Sequence, residues 1–302
     1  MSHRQTLKVA SAQYPIDQPP TLDAWRDKIA RWVAEGAETG AEVLVFPEYA
    51  AIEQAAALGE RVYRDLDATL QAVADLEADR VALHQELAGR HRVYILVGSG
   101  PSRKGEGRYV NAAQLVTPKG SIGVQEKLIM TPFETDWGIS AGKEARVFDT
   151  ALGLIGINIC YDSEFPLLAR AMAEAGAELL LVPSCTERLS GYHRVRTGSR
   201  ARALENQIAA VVSPTVGEAL WSPAVDQNAG AAGIYVPAEQ TVSDTGVLAQ
   251  GEVNVAQWVA ASIDLARLRH LRSSGEMRNY VDWANQPGAG RLADRVAVVT
   301  LV

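Results

Sequence analysis

The chain has 302 residues, of which 47% are hydrophobic and 22% are charged, and its formal net charge is −7. This composition is typical of a globular protein with a large core. The acidic balance, without a Lys/Arg-rich run, argues against a nucleic-acid or anionic-membrane surface. No stretch is long and apolar enough to predict a membrane span, and the N-terminus lacks a signal-peptide pattern. Two cysteines make no disulfide framework, so we predict a reduced, cytoplasmic protein.

Short apolar runs alternate with helical patterns in the first half of the chain. Three such runs predict strands: Thr6–Gln13, Glu42–Glu48 and Val93–Ser99. A helix is predicted over Thr21–Glu38, with the threonine as its N-cap. A repeat of apolar residues from Leu66 to Leu87 predicts one further amphipathic helix. The segment Arg108–Lys127 predicts a hairpin with a Pro-Lys-Gly turn.

The second half continues this alternation. A strand pair is predicted on either side of Ala151, and later strands are predicted in four runs: Glu178–Ser184, Ile208–Thr215, Ala232–Val236 and Trp258–Ile263. Helices are predicted over Phe165–Glu174 and Arg194–Gln207. Strand–helix alternation mixed with hairpins predicts one α/β domain with mixed sheets under layers of helices. We place this domain at residues 1–265. In the tail, residues 266–302, Asn285–Gly290 predicts a flexible connection before a last apolar run, which we expect to pack at a two-fold oligomer interface.

Several predicted strands end at a reactive side chain. These side chains are Glu48, Lys127, Cys160 and Ser184. In α/β sheets, functional sites gather at the carboxyl ends of strands, where a rigid sheet aims the side chains of the following loops. We therefore group Glu48, Lys127 and Cys160 into one candidate site, although they lie far apart in the sequence.

The grouped residues have complementary chemistry. A free thiol has a pKa of ~8.5, so the nucleophile Cys160 needs a base or a cation beside it. Glu48, once desolvated, has a raised pKa and can take and return the proton. Lys127 can favour the thiolate and stabilise an oxyanion. Asp162 or Ser163 is expected to cap the next helix, whose N-terminus would add partial positive charge beside the thiol.

Three motifs around these residues resemble those of the nitrilase superfamily, the carbon–nitrogen hydrolases. "VFPEYA" resembles the glutamate motif of that family, "QEKLIMTPFE" its lysine motif and "GINICYDSEFP" its cysteine elbow. They occur in the family's order and at about its spacing. Further matches are "VASAQYP", "SAG" at Ser140–Gly142 and "SRARALENQ" at Ser199–Gln207. The resemblance extends from Leu7 to Ile263.

The resemblance implies a role for each grouped residue. Glu48 would be the general base, Lys127 the oxyanion stabiliser and Cys160 the nucleophile, with Glu134 as a second glutamate beside the lysine. It implies a four-layer αββα sandwich of two mixed β-sheets flanked by helices, paired into a homodimer or a higher homo-oligomer. It implies no cofactor. We predict an amidase that cleaves a small amide to a carboxylic acid and ammonia or an amine through a thioester.

Rival interpretations remain open on the sequence. A nitrilase or an N-carbamoyl-amine hydrolase would use the same triad, and a catalytically silent member would keep the cleft for a ligand. "GISAG" at Gly138–Gly142 fits the serine-hydrolase pattern, but the strand and helix that must flank such an elbow are not predicted. Cys185 is predicted to be structural. The five histidines form no metal-binding motif, so no metal is predicted.

The sequence after the nucleophile bears on the substrate. Many relatives carry an arginine where this chain has Glu164. A carboxylate facing the cleft would favour a cationic or amine-bearing amide, whereas one facing solvent would only stabilise the first turn of a helix. We take four residues as candidate substrate-binding residues: Tyr161, Glu164, His193 and Trp221.

Overall fold

A computed structural model of the protein describes residues 4–105, 107–275, 277–286 and 296–301. Over these residues the chain forms the strands β1 (Thr6–Pro15), β2 (Val43–Val45), β3 (Tyr94–Arg103), β4 (Tyr109–Val116), β5 (Ile122–Glu126), β6 (Ile139–Ser140), β7 (Ala145–Thr150), β8 (Gly153–Ile157), β9 (Leu179–Ser184), β10 (Ala209–Glu218), β11 (Gln227–Asn228), β12 (Gly233–Tyr235), β13 (Val247–Gln250), β14 (Gln257–Asp264) and β15 (Val296–Thr300).

The same residues form the helices α1 (Leu22–Glu38), α2 (Glu60–Tyr63), α3 (Leu66–Asp75), α4 (Glu77–His91), α5 (Pro132–Asp136), α6 (Pro166–Glu174), α7 (Leu189–Asn206), α8 (Leu265–Ser274) and α9 (Asn279–Asp282). Short 3₁₀ helices cover Ala50–Leu58, Cys160–Glu164 and Trp283–Asn285. In the described part of the chain, no helix combines the length and the apolar character that a membrane span requires.

The strands are arranged as two mixed sheets. The first has the order β14-β1-β2-β3-β4-β5, with β6 added beside β4. The second has the order β15-β7-β8-β9-β10-β12-β13, with β11 at the end of β10. The sheets are joined where the ends of β1 and β10 run parallel, at the pairs Tyr14–Thr215 and Pro15–Val216. The prediction of two mixed sheets in an αββα sandwich is confirmed.

Alternating side chains of the first sheet enter two different buried clusters. Val43 and Val45 of β2 belong to the cluster that they share with β8, β9 and β10 of the second sheet. Leu44 and Phe46 belong to the cluster formed with α1, α3 and α4 on the other face. This alternation is the two-residue period of a strand. A helix packs on the second sheet as well, because a Cβ atom at Gly156 of β8 would lie 2.9 Å from Met172 Sδ of α6.

The predicted helix from Leu66 to Leu87 is wrong in one respect, because the structure has two helices there. α3 ends before Leu76, which leaves helical geometry at ψ 2°, and α4 begins one residue later. The buried Arg80 guanidinium donates to the Val73 carbonyl at 3.1 Å and so satisfies an acceptor at the end of α3. The apolar repeat in the sequence continues across this break and therefore did not reveal it.

Helix α7 begins at Leu189, five residues before the predicted start at Arg194. Ser190 and Gly191 weaken the helical pattern in the sequence. The structure has a packing reason for the glycine, because a Cβ atom at Gly191 would lie 3.0 Å from the Cβ atom of Thr186. Helix α7 thus carries a glycine at position 191, although glycine is a poor helix former, because the helix passes close to Thr186 there.

The tail folds back on the domain. Leu268 and Leu271 of α8 lie in the buried cluster shared by the two sheets. The Arg170 guanidinium of α6 lies 4.6 Å from the Tyr280 ring centre and 4.7 Å from that of Trp283. β15 pairs in parallel with β7 of the same chain. The predicted flexible connection at residues 285–290 lies outside the described residues from position 287 onward, and an interface role for the tail stays a prediction.

Candidate active site

The strand ends bring the four predicted catalytic side chains together. Glu48 follows β2, Lys127 follows β5, Cys160 follows β8 and Glu134 lies in α5. Each of the four is at most 5% exposed, and all four line one cleft of about 530 Å³. That volume is typical of a small-molecule site. The sequence-based grouping therefore corresponds to one place in the fold.

Lys127 lies between the two glutamates. Its Nζ atom is 2.8 Å from Glu48 Oε1 and 2.6 Å from Glu134 Oε2. An ammonium has three N–H bonds, so two are used in these contacts. Among the described residues no other hydrogen bond involves this ammonium group. The third N–H bond is thus available to a reacting group in the cleft.

Two further residues that the sequence did not single out hold the carboxylates. Asn111 Nδ2 donates to Glu48 Oε1 and to Glu134 Oε1, at 2.9 Å in both cases. The Tyr49 hydroxyl donates to Glu134 Oε1 at 2.8 Å. Asn111 is fully buried in the middle of β4. A buried amide inside an apolar strand is the sequence signal for such a residue, since a buried polar group requires partners.

Glu134 also organises the loop in which it lies. Thr131 is the N-cap of α5, and its side chain accepts from the Glu134 backbone N–H at 3.2 Å. In return, Glu134 Oε2 accepts from the Thr131 backbone N–H at 3.0 Å. This reciprocal capping box fixes the carboxylate that contacts Lys127. The motif "TPFE" encodes both the cap and the contact with Lys127.

Cys160 lies on a strained turn. Its φ angle is +47°, in the left-handed region that residues with a Cβ atom rarely adopt. The thiol Sγ lies 3.7 Å from the Cys185 carbonyl oxygen. The backbone N–H of Cys185 donates to Glu48 Oε2 at 3.0 Å. Cys185, predicted to be structural, therefore contacts both Glu48 and Cys160 through its backbone.

The predicted helix cap after the nucleophile is wrong. Asp162 does not cap α6; its Oδ1 accepts from the backbone N–H groups of Leu128 and Ile129, at 3.2 Å and 2.8 Å. Ser163 donates to the Cys160 carbonyl at 2.6 Å instead of capping. Helix α6 begins at Pro166 without a side-chain cap. A 3₁₀ turn that begins at Cys160 comes before α6. The Asp162 carboxylate in this turn therefore contacts the loop after Lys127 and not the start of α6.

Burial and charge divide the roles of the ionisable groups. Burial, with the nearby Glu134 charge, raises the pKa of Glu48 even though Lys127 opposes the shift. Burial alone would lower the pKa of Lys127, but the two carboxylates outweigh it and raise that pKa. Burial would raise the pKa of Glu134, but the lysine prevails and lowers it. Glu48 is thus the carboxylate suited to holding a proton.

Burial disfavours ionisation of the Cys160 thiol. Burial, followed by the negative charge of Glu48, raises the pKa of Cys160 well above its usual range, and Lys127 only partly offsets this. Lys127 acts in the expected direction, toward the thiolate, but burial and the Glu48 charge act against it. Glu48 is the buried carboxylate beside this thiol.

The four candidate substrate-binding residues lie in different places. Tyr161 and Glu164 line the cleft. His193 is exposed on α7, and Trp221 packs edge-on against Tyr63, with 5.6 Å between the ring centres. Neither is among the residues that line the cleft. Arg194, one residue beyond the histidine, does line it.

The outer part of the cleft has an aromatic side and a charged side. Phe133 and Trp137 contribute aromatic surface next to the lysine loop. Opposite charges meet at Glu164 and Arg194, where Arg194 Nε donates to Glu164 Oε1 at 3.2 Å. The charge of Glu164 is consequently compensated inside the cleft.

The serine-hydrolase pattern has no elbow geometry. Ser140 lies in the two-residue strand β6, and strand β7 follows it instead of a helix. The backbone N–H of Gly142 donates to the Lys127 carbonyl at 2.7 Å. A Cβ atom at Gly142 would lie 3.0 Å from that oxygen. The "SAG" motif thus holds the end of the lysine strand.

Comparison with known proteins gives the family. A family model described as carbon-nitrogen hydrolase matches residues 8–272. The chain belongs to the carbon–nitrogen hydrolase family. The match includes all four residues of the buried cluster and ends within α8. The motif resemblance and the family match therefore agree.

Several known proteins are similar to this carbon–nitrogen hydrolase. The probable hydrolase YhcX of Bacillus subtilis is 35% identical over 277 residues, which are 91% of this chain and 53% of YhcX. A bifunctional nitrilase/nitrile hydratase, NIT4B of Nicotiana tabacum, is 32% identical over 61% of this chain and 54% of its own. The alignment thus spans about half the length of these relatives. Omega-amidase NIT2-B of Xenopus laevis is 24% identical over 83% of this chain and 87% of its own.

A solved structure supports the fold. The carbon-nitrogen hydrolase from Helicobacter pylori G27 superposes with a TM-score of 0.74 at 19% identity, covering 94% of this chain and 98% of that one. At this identity, the likeness concerns the fold. Among the described residues, no group of three or more His, Cys, Asp or Glu side chains is arranged to hold a metal ion.

Proposed function

We propose that this carbon–nitrogen hydrolase is an amidase that cleaves a small amide through a thioester on Cys160. The observation that carries the proposal is the buried contact of Lys127 with Glu48 and Glu134 in the cleft that also holds the thiol. Such an arrangement offers a nucleophile, a base with a raised pKa and a fixed positive charge. These are the groups that acyl transfer from an amide requires.

Attack on the amide is the first half of the reaction. Glu48 takes the thiol proton as Cys160 Sγ bonds to the carbonyl carbon, and the carbonyl oxygen becomes an oxyanion. The free N–H of Lys127 stabilises this charge. The C–N bond then breaks, and Glu48 returns its proton to the departing nitrogen. Ammonia or an amine leaves, and the acyl group stays on sulfur as a thioester.

Hydrolysis of the thioester is the second half. Glu48 takes a proton from a water molecule whose oxygen attacks the thioester carbon. The C–S bond breaks, the sulfur recovers the proton from Glu48, and the carboxylic acid leaves. In each half of the reaction, Glu48 accepts one proton and then returns it. This role requires a pKa near the working pH. The raised pKa of Glu48 suits that role.

A nitrilase is the second candidate, and the similarity to the tobacco nitrilase/nitrile hydratase favours it. The same residues can add the thiol to a nitrile carbon and then hydrolyse the adduct. An N-carbamoyl amine would present a similar carbonyl to Cys160. A catalytically silent ligand-binding protein would not need the Glu48–Lys127–Glu134 contacts that the chain keeps.

Ammonia release separates these functions. Butanamide, butanenitrile and N-carbamoyl-propylamine present similar alkyl chains on three kinds of C–N bond. We expect the amide to have the highest kcat/KM, Cys160→Ala to abolish release and Ser140→Ala to retain it. A higher kcat/KM for the nitrile would replace amidase with nitrilase. Release that persists in Cys160→Ala would remove the thioester mechanism.

A further inference from the structure

The ion pair Glu164–Arg194 suits a ligand with two opposite charges. Both residues line the cleft that contains Cys160. The Glu164 side chain is only 19% exposed, whereas that of Arg194 is 61% exposed. They come from different elements, the 3₁₀ turn of the nucleophile and helix α7. The pair therefore lies on the side of the cleft nearest to the nucleophile's own turn.

Neither partner has used its full hydrogen-bonding capacity. Over the described residues, the Glu164 carboxylate accepts one hydrogen bond and the Arg194 guanidinium donates one, and both are the same contact through Nε. A carboxylate has about four acceptor sites and a guanidinium has five donors. Glu164 can therefore accept from an ammonium while Arg194 donates from its terminal nitrogens to a carboxylate.

A ligand with a single charge fits this pair poorly. A carboxylate drawn to Arg194 would lie near Glu164, and an ammonium drawn to Glu164 would lie near Arg194, so attraction and repulsion would partly cancel. A zwitterion satisfies both partners. In an α-amino acid the ammonium and the carboxylate share one carbon, so their separation is comparable with the 3.2 Å contact of the pair.

We propose that Glu164 and Arg194 select substrates whose far end is an α-amino acid head group, with Glu164 binding the ammonium and Arg194 the carboxylate. This inference rests on the amidase function proposed above, since it names the substrate class of the same cleft. The substrate class is an ω-amide of an α-amino acid: the amide reaches Cys160, and the zwitterionic end remains at the ion pair.

Four amides of equal length test this selection. L-Glutamine carries both charges, glutaramate only the carboxylate, 4-aminobutanamide only the ammonium, and butanamide neither. The set one methylene shorter is L-asparagine, succinamate, 3-aminopropanamide and propanamide. In at least one set we expect the zwitterion to exceed both singly charged amides about tenfold or more in kcat/KM, since each gained contact is a hydrogen bond between charged groups.

Variants assign the two charges. Glu164→Gln should lower the ratio of kcat/KM for the zwitterion to that for the carboxylate-only amide. Arg194→Gln should lower the ratio of kcat/KM for the zwitterion to that for the ammonium-only amide. Arg196→Gln is the matched control, because Arg196 lies on the same helix but donates to Gln250 outside the cleft. It should leave both ratios in place. A merely structural ion pair would lower all four amides together and leave the ratios unchanged, which would overturn the proposal.

Binding separates this inference from the proposed function. Calorimetry with Cys160→Ala measures the affinity for the amides of both sets without turnover. If butanamide releases ammonia in the wild type but neither set favours the zwitterion in turnover or in binding, the inference fails and the amidase stands. If no amide is hydrolysed yet the zwitterion binds at least tenfold more tightly in a manner that depends on both residues, the inference stands and the amidase fails.

Discussion

Asp162 Oδ1 accepts a hydrogen bond from the backbone N–H of Ile129 at 2.8 Å. This contact joins the turn that begins at Cys160 to the loop that follows Lys127. Leu128 donates to the same carboxylate. The relative position of Cys160 and Lys127 therefore depends on a third residue that is not among those lining the cleft.

Asp162→Asn should lower kcat more than it raises KM. The asparagine amide keeps one oxygen acceptor, but its NH₂ group cannot accept from a backbone N–H. The loop after Lys127 therefore loses at least one of its hydrogen bonds to position 162. We expect kcat to fall about tenfold or more, because displacing a catalytic group by a fraction of an ångström weakens transition-state contacts. Steady-state kinetics on one amide provides the measurement. Wild-type kcat in a folded variant would contradict this positioning role.

Asp162 should also affect the pH dependence of stability. Burial raises its pKa to about 7 in the folded protein. Between about pH 4 and 7, Asp162 is therefore protonated in the folded state and deprotonated in the unfolded state. The stabilisation is complete below about pH 4 and is lost as the pH rises through about 7, by up to about 1.4 kcal/mol per pH unit. Asp162→Asn should flatten that slope in urea unfolding, and an unchanged slope would contradict the shift.

Glu48→Gln should remove proton transfer and leave the cleft intact. General acid–base catalysis contributes about 10²–10⁴-fold, so kcat should fall by that factor while KM changes little. In the wild type, kcat/KM should rise with pH through the raised pKa of Glu48, above the usual range for a carboxylate. Glu126→Gln is the control, because this neighbour of Lys127 pairs with Lys104 outside the cleft. Near wild-type turnover in Glu48→Gln would exclude the residue as the base.

Iodoacetamide should label Cys160 faster than Cys185. The Cys185 thiol donates to Asn228 Oδ1 at 3.4 Å, and burial raises its pKa to about 12. Glu48 can accept the Cys160 proton as the sulfur attacks the reagent carbon and displaces iodide. Intact mass and peptide mapping follow the two sites separately. Glu48→Gln should slow labelling of Cys160 alone; equal slowing at both cysteines would point to a general change in the cleft.

The chain should form a homo-oligomer through its helical face and tail. Val298 on β15 and Leu167 on α6 are each 55% exposed. Burial of such exposed apolar surface in an interface is favourable. Light scattering at micromolar concentration should give a dimer or more. Truncation after Gln286 should reduce the assembly, and since β15 pairs with β7 it should also lower the melting temperature. A monomer in the full chain would contradict the expectation.

The sequence predicted most strands and the grouping of Glu48, Lys127 and Cys160 because both depend on local patterns. Continuous apolar runs gave β1, β2, β8, β9 and β10, and the strand ends pointed to Glu48, Lys127 and Cys160. Contacts between distant segments were beyond reach. Asn111 bridges two carboxylates from different loops, and Arg194 reaches a residue 30 positions away. No periodicity encodes such pairs, since they arise only when the sheet and helices have packed.

The left-handed backbone at Cys160 implies a trade-off between stability and activity. A left-handed conformation costs a residue with a Cβ atom about 1–2 kcal/mol, whereas glycine adopts it freely. Cys160→Ala keeps that cost and loses the sulfur, but Cys160→Gly would lose both. The inactive glycine variant should therefore unfold at a higher temperature than the alanine variant. The left-handed conformation that places the thiol at that turn thus lowers the free energy of unfolding of the chain.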